Sequence, residues 1–173
     1  MQQTKTMSHS TPVVVFYISG HGFGHASRQI EIIRQLKRLR NDVHVVIKTP
    51  TPQWFFDIAN LGEYSFETLN TDTGVVQTDS LHVDVIESIK QCDAFHQTLH
   101  QRATSEASTL KGLNARLIVG DIPPLAFLVG IMTATPTVAI SNFTWDWIYD
   151  LSLIHISEPT RRTPISYAVL CLK

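Results

Sequence analysis

The chain has 173 residues, 43% of them hydrophobic, and a formal net charge of −1 at pH 7. This length is sufficient for one domain with its own hydrophobic core. A charge near zero gives no indication of a nucleic-acid partner, and no apolar run is long enough to cross a bilayer. The two cysteines, Cys92 and Cys171, provide neither a metal-ligand pattern nor a disulfide framework. We therefore expect a cytoplasmic protein without an integral membrane segment.

The predicted elements alternate between strands and helices along the chain. Residues 1–12 are polar, lack the apolar segment of a secretory signal, and are expected to form a disordered lead-in. Apolar and β-branched runs predict strands at 13–18, 43–47, 117–119 and 137–140, with a weaker one at 64–69. Helical spacing and capping residues predict helices at 26–39, 51–60, 83–113 and 124–132, with a polar loop at 70–81. This alternation predicts an α/β fold, a Rossmann-like parallel sheet with helices on both faces.

The most informative segment is Ser19-Gly20-His21-Gly22-Phe23-Gly24-His25-Ala26-Ser27-Arg28, between the first strand and the first helix. A strand, a glycine-rich turn and a helix together aim backbone N–H groups at a phosphate. The two histidines inside the turn add acid–base chemistry. A ligand site is therefore expected in this loop, and several kinds of site compete for it.

Three of the competing kinds of site fit poorly. A dinucleotide fingerprint requires its third glycine one position later than Gly24, and Lys48-Thr49 follow the second strand where an acidic residue would be needed. A phosphate loop of the Gly-Lys-Ser/Thr type is excluded because those residues are missing. Metal binding is not predicted, since a glycine turn does not place His21 and His25 as a helical pair would. A purely structural turn, whose histidines cap the helix, remains an alternative.

A sugar-transfer site agrees with three polar positions that follow strands. The glycine loop, Asp121 and Ser141-Asn142 all come at carboxyl ends of predicted strands, where parallel sheets bind their ligands. A histidine such as His25, kept neutral by the positive end of a helix, can deprotonate an acceptor hydroxyl. A carboxylate such as Asp121 can hold its tautomer. The alternative for Asp121 is a cap on the helix that begins at Pro123-Pro124.

The segment Gly20–Arg28 resembles the opening loop of GT-B-type glycosyltransferases, in particular the glycosyltransferase-like N-terminal domain of L-arabinokinases and their bacterial relatives. Two further segments resemble the same family in order and spacing. They are Gly74-Val75-Val76-Gln77-Thr78-Asp79 and Ser141-Asn142-Phe143-Thr144-Trp145-Asp146-Trp147-Ile148-Tyr149. The resemblance covers nearly all of residues 13–150 and implies the truncated acceptor-side half of a GT-B fold, with the C-terminal half missing.

The resemblance also implies roles for individual residues. His25 corresponds to the catalytic base and Asp121 to its acidic partner. Arg28 reaches a phosphate or is a solvated arginine of the first helical turn, and Trp145 and Trp147 stack on a sugar or pack against the missing part. The donor is expected to be a nucleotide-sugar, of the UDP type, with no metal and no tightly bound cofactor. The residues expected near this donor are Gly20, His21, Gly22, Gly24, Arg28 and Asn142.

The C-terminal segment, residues 151–173, resembles a translated sequencing adapter. Leu151–Arg161 fits the mosaic end of a transposase-type adapter, and Ile165–Leu172 fits the distal part of the same adapter. The intervening Arg162-Thr163-Pro164 has the length expected of one adapter base and an index. We therefore predict that this segment is not native and assign it no functional role.

Two functions follow from the resemblance. The first is transfer of a sugar from a nucleotide-sugar to a hydroxyl acceptor by the intact protein, with this fragment inactive alone. The second is a non-catalytic, sugar- or nucleotide-binding module attached to a GHMP-type sugar kinase. A nicotinamide-dependent enzyme is a third hypothesis, which does not come from the resemblance. The sequence does not specify the donor sugar, the acceptor or the oligomeric state.

Overall fold

The computed structural model of the chain describes residues 11–79, 82–142 and 168–172. Its helices are α1 (Phe23–Leu39), α2 (Trp54–Asp57), α3 (Val85–Lys111) and α4 (Pro124–Thr133). Its strands are β1 (Val13–Tyr17), β2 (His44–Thr49), β3 (Ser65–Thr68), β4 (Val76–Gln77), β5 (Val83–Asp84), β6 (Ala115–Gly120), β7 (Thr137–Ser141) and β8 (Ala168–Leu172). Within the described residues, five parallel strands form a sheet in the order β3-β2-β1-β6-β7. The predicted α/β, Rossmann-like fold is confirmed.

Helices cover both faces of this sheet, and β1 shows why its sequence is apolar throughout. Alternate residues of β1 face opposite sides, so Val14 and Phe16 pack with α1 and α2. Val15 and Tyr17 pack with α3 and α4 on the other side. A strand that is covered twice needs an apolar side chain at every position. Each fully buried Val, Ile or Phe contributes roughly 1.5–3 kcal/mol to stability.

The segment before α3 differs from the sequence-based prediction. The predicted loop 70–81 contains β4, and the predicted helix start contains β5, which pairs antiparallel with β4. Two-residue strands are too short to show a periodic pattern, so the sequence did not reveal this hairpin. The Asp84 side chain accepts a hydrogen bond from the Glu87 N–H at 2.9 Å and so caps α3.

Only the C-terminal part of the α3 apolar stripe is buried. Phe95, Ala103 and Leu110 lie in the core, whereas Val85 and Ile89 are exposed. A helix of 27 residues is about 40 Å long, but a strand of six residues covers only about 20 Å. The first turns of α3 therefore extend past the sheet.

Several predicted segments lie partly or wholly outside the described residues. Of the predicted lead-in, residues 1–10 are not described, while the Pro12 carbonyl accepts a hydrogen bond from the His44 N–H at 3.0 Å. Residues 143–150, with Trp145 and Trp147, also lie outside. In the described part of the chain no helix has both the length and the apolar character that a membrane span requires.

The segment predicted to come from an adapter contributes β8, which pairs antiparallel with β7 at the edge of the sheet. An open strand edge offers unpaired N–H and C=O groups to any extended segment of β-prone residues. Pairing of this kind therefore does not require a partner that evolved with the sheet. The origin of residues 151–173 stays a prediction.

A buried charge network joins the sheet to α3. The Lys48 ammonium is fully buried and donates to Glu106 Oε2 and to Glu67 Oε2, both at 2.7 Å. The Tyr17 hydroxyl donates to the same Glu106 oxygen at 2.8 Å. Burial, followed by the charge of Glu106, raises the pKa of Tyr17 well above its ordinary value. A buried ammonium is stable only when it is paired, so this network fixes α3 against the strands.

We expect Glu106→Gln to lower the free energy of unfolding by about 3 kcal/mol, because it removes the buried carboxylate that pairs with Lys48. Glu67→Gln is the matched control, and its cost should stay below about 1 kcal/mol because that carboxylate is half exposed to solvent. Urea denaturation of both variants measures the difference. Equal losses of unfolding free energy in the two variants would show that burial of the carboxylate does not determine its contribution to stability.

Candidate functional site

The predicted site residues meet where the strand order of the sheet changes direction. β1 lies between β2 and β6, so the chain leaves β1 toward one side of the sheet and later crosses to the other. His25 follows β1, Asp121 follows β6, and the Asp121 N–H donates to the Tyr17 carbonyl at 3.1 Å. Ligands of open α/β sheets bind in the crevice at this point. The topology therefore brings His25 and Asp121 to the expected position for a ligand site.

His25 and Asp121 form a buried hydrogen-bonded pair. His25 Nδ1 and Asp121 Oδ2 are in contact, with 8% of the histidine side chain and none of the aspartate side chain exposed. An ionised carboxylate only accepts hydrogen bonds, so the neutral imidazole carries its proton on Nδ1. Its Nε2 then has the basic lone pair. Asp121 does not cap α4, which has Pro123 at its N-cap and no side-chain cap hydrogen bond.

Arg28 contacts protein groups in the site. Its Nη2 donates to Asp121 Oδ1 at 2.5 Å and its Nη1 donates to Asn142 Oδ1 at 2.8 Å. Arg28 belongs to α1, Asp121 follows β6 and Asn142 follows β7, so one guanidinium joins three elements. Its predicted contact with a donor phosphate stays a prediction, and both terminal nitrogens already have protein partners.

The glycines of the loop differ in their surroundings and in their backbone conformation. At Gly20 an added Cβ would lie 2.1 Å from Pro50 Cγ, so this position must be small to pack against the loop after β2. Gly22 has a φ of 75° and is the N-cap of α1, with no side-chain cap hydrogen bond. At Gly24 an added Cβ would enter open space. The exposed face of the loop is therefore built from Gly22 and Gly24, at the positive end of α1.

His21 packs against the segment that contains the second resemblance motif. An added Cβ at Gly74 would lie 2.3 Å from His21 Nδ1, so the glycine allows the imidazole to lie against the backbone. Burial lowers the pKa of His21, and the charge of His25 lowers it further. The charge of Asp72 opposes both effects by raising this pKa. The sequence showed Gly74 as part of a motif, but only the structure gives its contact with His21.

Sequence reasoning missed an aromatic cluster beside the loop. The rings of Phe23 and Phe55 stack with centroids 4.7 Å apart, and the Trp54 ring lies 6.0 Å from Phe23. Phe23 and Trp54 are each about half exposed. The signal was available as an aromatic residue inside a glycine turn and a Trp-Phe-Phe run after Pro52. Their contact depends on the two loops meeting at Gly20 and Pro50.

Away from this site, the described residues form a cavity but no arrangement that suits a metal ion. No group of three or more His, Cys, Asp and Glu residues there has an arrangement that fits a metal ion. A cavity of about 490 Å³ lies near Lys37, His44 and Leu61. It opens where β2 begins, at the edge of the sheet opposite His25.

The sequence has a clear relative among characterised proteins. Over 138 residues it is 32% identical to L-arabinokinase from Arabidopsis thaliana, a match that covers 79% of this chain. This similarity agrees with the resemblance of Gly20–Arg28 to the glycosyltransferase-like domain of L-arabinokinases. The chain spans only 13% of the length of that relative. No family model matches the sequence.

Solved structures that align with this chain have low sequence identity to it. A UGT transferase from Siraitia grosvenorii, solved in complex with UDP, has a TM-score of 0.48 and 16% identity over 91% of this chain and 35% of its own. The calicheamicin glycosyltransferase CalG4 has a TM-score of 0.44 and 19% identity, over 87% and 38%. The C-terminal domain of a hydrogenase from Pyrococcus furiosus also has a TM-score of 0.44, with 12% identity over 75% and 91%. TM-scores in this range do not distinguish these functions.

We expect Gly74→Ala to displace the His21 ring, because the new methyl group would overlap it. The displaced imidazole gains solvent, so its pKa should rise toward the ordinary value of a histidine. Histidine NMR titration of the chain measures the change. Gly112→Ala is the control, since its methyl group would lie 3.6 Å from the Thr109 carbonyl, an ordinary contact. An unchanged His21 titration in Gly74→Ala would contradict the packing described above.

Proposed function

We propose that this chain is the acceptor-side part of a protein that transfers a sugar from a nucleotide-sugar donor to a hydroxyl acceptor. The observation that carries the proposal is the buried His25–Asp121 pair at the change of direction of the sheet. The resemblance of Gly20–Arg28 to the opening loop of GT-B-type glycosyltransferases supports the same chemistry. Since the chain spans 13% of its relative, the proposal concerns the longer protein that contains this chain.

In the proposed reaction His25 is the general base. The acceptor hydroxyl gives its proton to His25 Nε2 while its oxygen attacks the anomeric carbon of the donor sugar. The bond between that carbon and the diphosphate oxygen breaks, and the nucleoside diphosphate leaves with the electron pair. Asp121 accepts the Nδ1 hydrogen bond throughout and stabilises the imidazolium that forms. General base catalysis of this kind contributes about 10²–10⁴-fold to the rate.

The glycine loop is the proposed site for the negative charge of the leaving group. Gly22 has no side chain, and the α1 N-terminus behind it has no side-chain cap. Uncapped N–H groups and the positive helix end favour an anion at this position. His21 lies in the same loop and supplies a second polar group. Most of the donor contacts are expected from the remainder of the protein, as the resemblance to GT-B enzymes implies.

We expect His25→Ala to lower kcat for sugar transfer by about 10²–10⁴-fold in the longer protein, because the general base is lost. His44→Ala is the matched control, since His44 begins β2 at the opposite edge of the sheet and contacts Ser65 Oγ. A coupled assay for nucleoside diphosphate release measures both variants. Turnover by His25→Ala equal to that of the control would refute the assignment of the base.

A second candidate function is a non-catalytic module that binds a sugar or nucleotide beside a GHMP-type sugar kinase. The observation that favours it is the homology to L-arabinokinase, a protein named for kinase activity. The uninterrupted reading frame distinguishes the two candidates. A GHMP-type kinase after the glycosyltransferase-like region favours the binding module. A second Rossmann-like domain in that place favours the transferase.

We expect calorimetric titration of the longer protein to show binding of UDP-sugars and no comparable binding of NAD. The reason is that the loop lacks the spacing and the acidic residue of a dinucleotide site. The transferase requires a UDP-sugar as its donor, and the binding module requires a sugar or a nucleotide. Tight NAD binding without binding of a UDP-sugar would instead favour the nicotinamide-dependent alternative and would exclude the transferase.

A further inference from the structure

We propose that Arg28 is a positioning residue for the His25–Asp121 pair. It holds the Asp121 carboxylate in one orientation and links it to Asn142, which follows β7. The catalytic meaning of this role rests on the proposed function, but the role itself concerns the free chain. It differs from a contact between Arg28 and a donor phosphate, which the sequence alone suggested.

The two oxygens of Asp121 have separate partners. Oδ2 contacts His25 Nδ1, and Oδ1 accepts from Arg28 Nη2. A carboxylate held at both oxygens cannot rotate to exchange them without breaking a charge-assisted hydrogen bond. The orientation that His25 requires is therefore enforced from the other side of Asp121. Because His25 and Arg28 are three residues apart on α1, one turn of helix supplies both partners.

Asn142 orients the guanidinium in turn. Arg28 Nη1 donates to Asn142 Oδ1 at 2.8 Å, and 30% of the Arg28 side chain remains exposed. A planar guanidinium with two fixed contacts has little freedom to turn away. One chain of contacts therefore runs from His25 on α1 to Asp121 after β6, then to Arg28 on α1 and to Asn142 after β7.

The charge of Arg28 affects His25 as well as Asp121. Arg28 Nη2 lies 3.4 Å from His25 Nδ1. Both nitrogens carry hydrogens directed at Asp121, and each hydrogen is accepted by a different oxygen of that carboxylate. Loss of the guanidinium would therefore remove a positive charge beside Nδ1 and release one oxygen of Asp121.

The other charged and titratable groups near His25 come from two loops. His21 is close enough that its pKa is lowered by the charge of His25, and Asp72 acts on His21 in the opposite direction. The Asp121 carboxylate itself contacts His25 and Arg28. Changes at Arg28 are therefore expected to reach His25 mainly through Asp121 and through direct charge.

The test is histidine NMR of the 173-residue chain, which needs no activity. In Arg28→Gln we expect a larger fraction of the neutral His25 ring to carry its proton on Nε2, because the Asp121 carboxylate is no longer held toward Nδ1. Arg28→Lys retains the charge and should recover most of the Nδ1–H tautomer. Arg38→Gln removes the same charge from an exposed position on α1 and should leave His25 unchanged.

A second variant covers the case in which Arg28→Gln does not fold. Asn142→Ala removes no charge but releases the guanidinium, so it should move the His25 tautomer in the same direction by a smaller amount. Unchanged His25 signals in both variants would overturn the proposal. Equal shifts in Arg28→Lys and Arg28→Gln would also overturn it, because they would indicate packing rather than charge. Failure of the proposed function would appear separately, as normal turnover by His25→Ala.

Discussion

The buried carboxylate of Asp121 is the interaction on which the candidate site depends. Its side chain has no exposure to solvent, and a buried charge is tolerated only when it is paired and hydrogen-bonded. Both partners, His25 and Arg28, come from the first turns of α1. The requirement to pair Asp121 therefore fixes the start of α1 against the end of β6. Gly120, the residue before Asp121, allows the end of β6 to pack closely against α4, because an added Cβ there would lie 3.0 Å from the Phe127 ring of α4.

The opposite face of the sheet obeys the same constraint. Lys48 is buried at the carboxyl end of β2, and Glu106 of α3 neutralises it with the Tyr17 hydroxyl as a further contact. Lys48 lies on β2 and Asp121 follows β6, the strands on either side of β1. The Lys48 network faces α3, and the Asp121 network faces α1. Each network fixes one helix at a defined position relative to a strand end. Apolar packing alone is less directional and defines that position less precisely. The carboxyl edge of the sheet is thus held from both faces.

The same edge combines features that suit a ligand site. The open face of the glycine loop, the His25–Asp121 pair and the exposed rings of Phe23 and Trp54 lie at the ends of β1 and β2 or beside them. The chain is similar to L-arabinokinase over 138 residues. The chain spans a small part of that relative, and the proposed chemistry accordingly needs groups from the rest of the longer protein.

The sequence by itself determined the alternation of the main strands and helices and the apolar faces of these elements. It also indicated the loop from Gly20 to Arg28 as a site, with Asp121 as a distant partner. These are local properties, since hydrophobic period, glycine spacing and the residue after a strand can be read without long-range contacts. The tertiary structure alone decided what Arg28 and Gly74 do. Arg28 joins Asp121 and Asn142 across more than ninety residues, and Gly74 makes room for His21. The tertiary structure also leaves the first turns of α3 exposed to solvent and pairs Lys48 with Glu106. Such contacts depend on the packing of distant segments, which no pattern within one segment records.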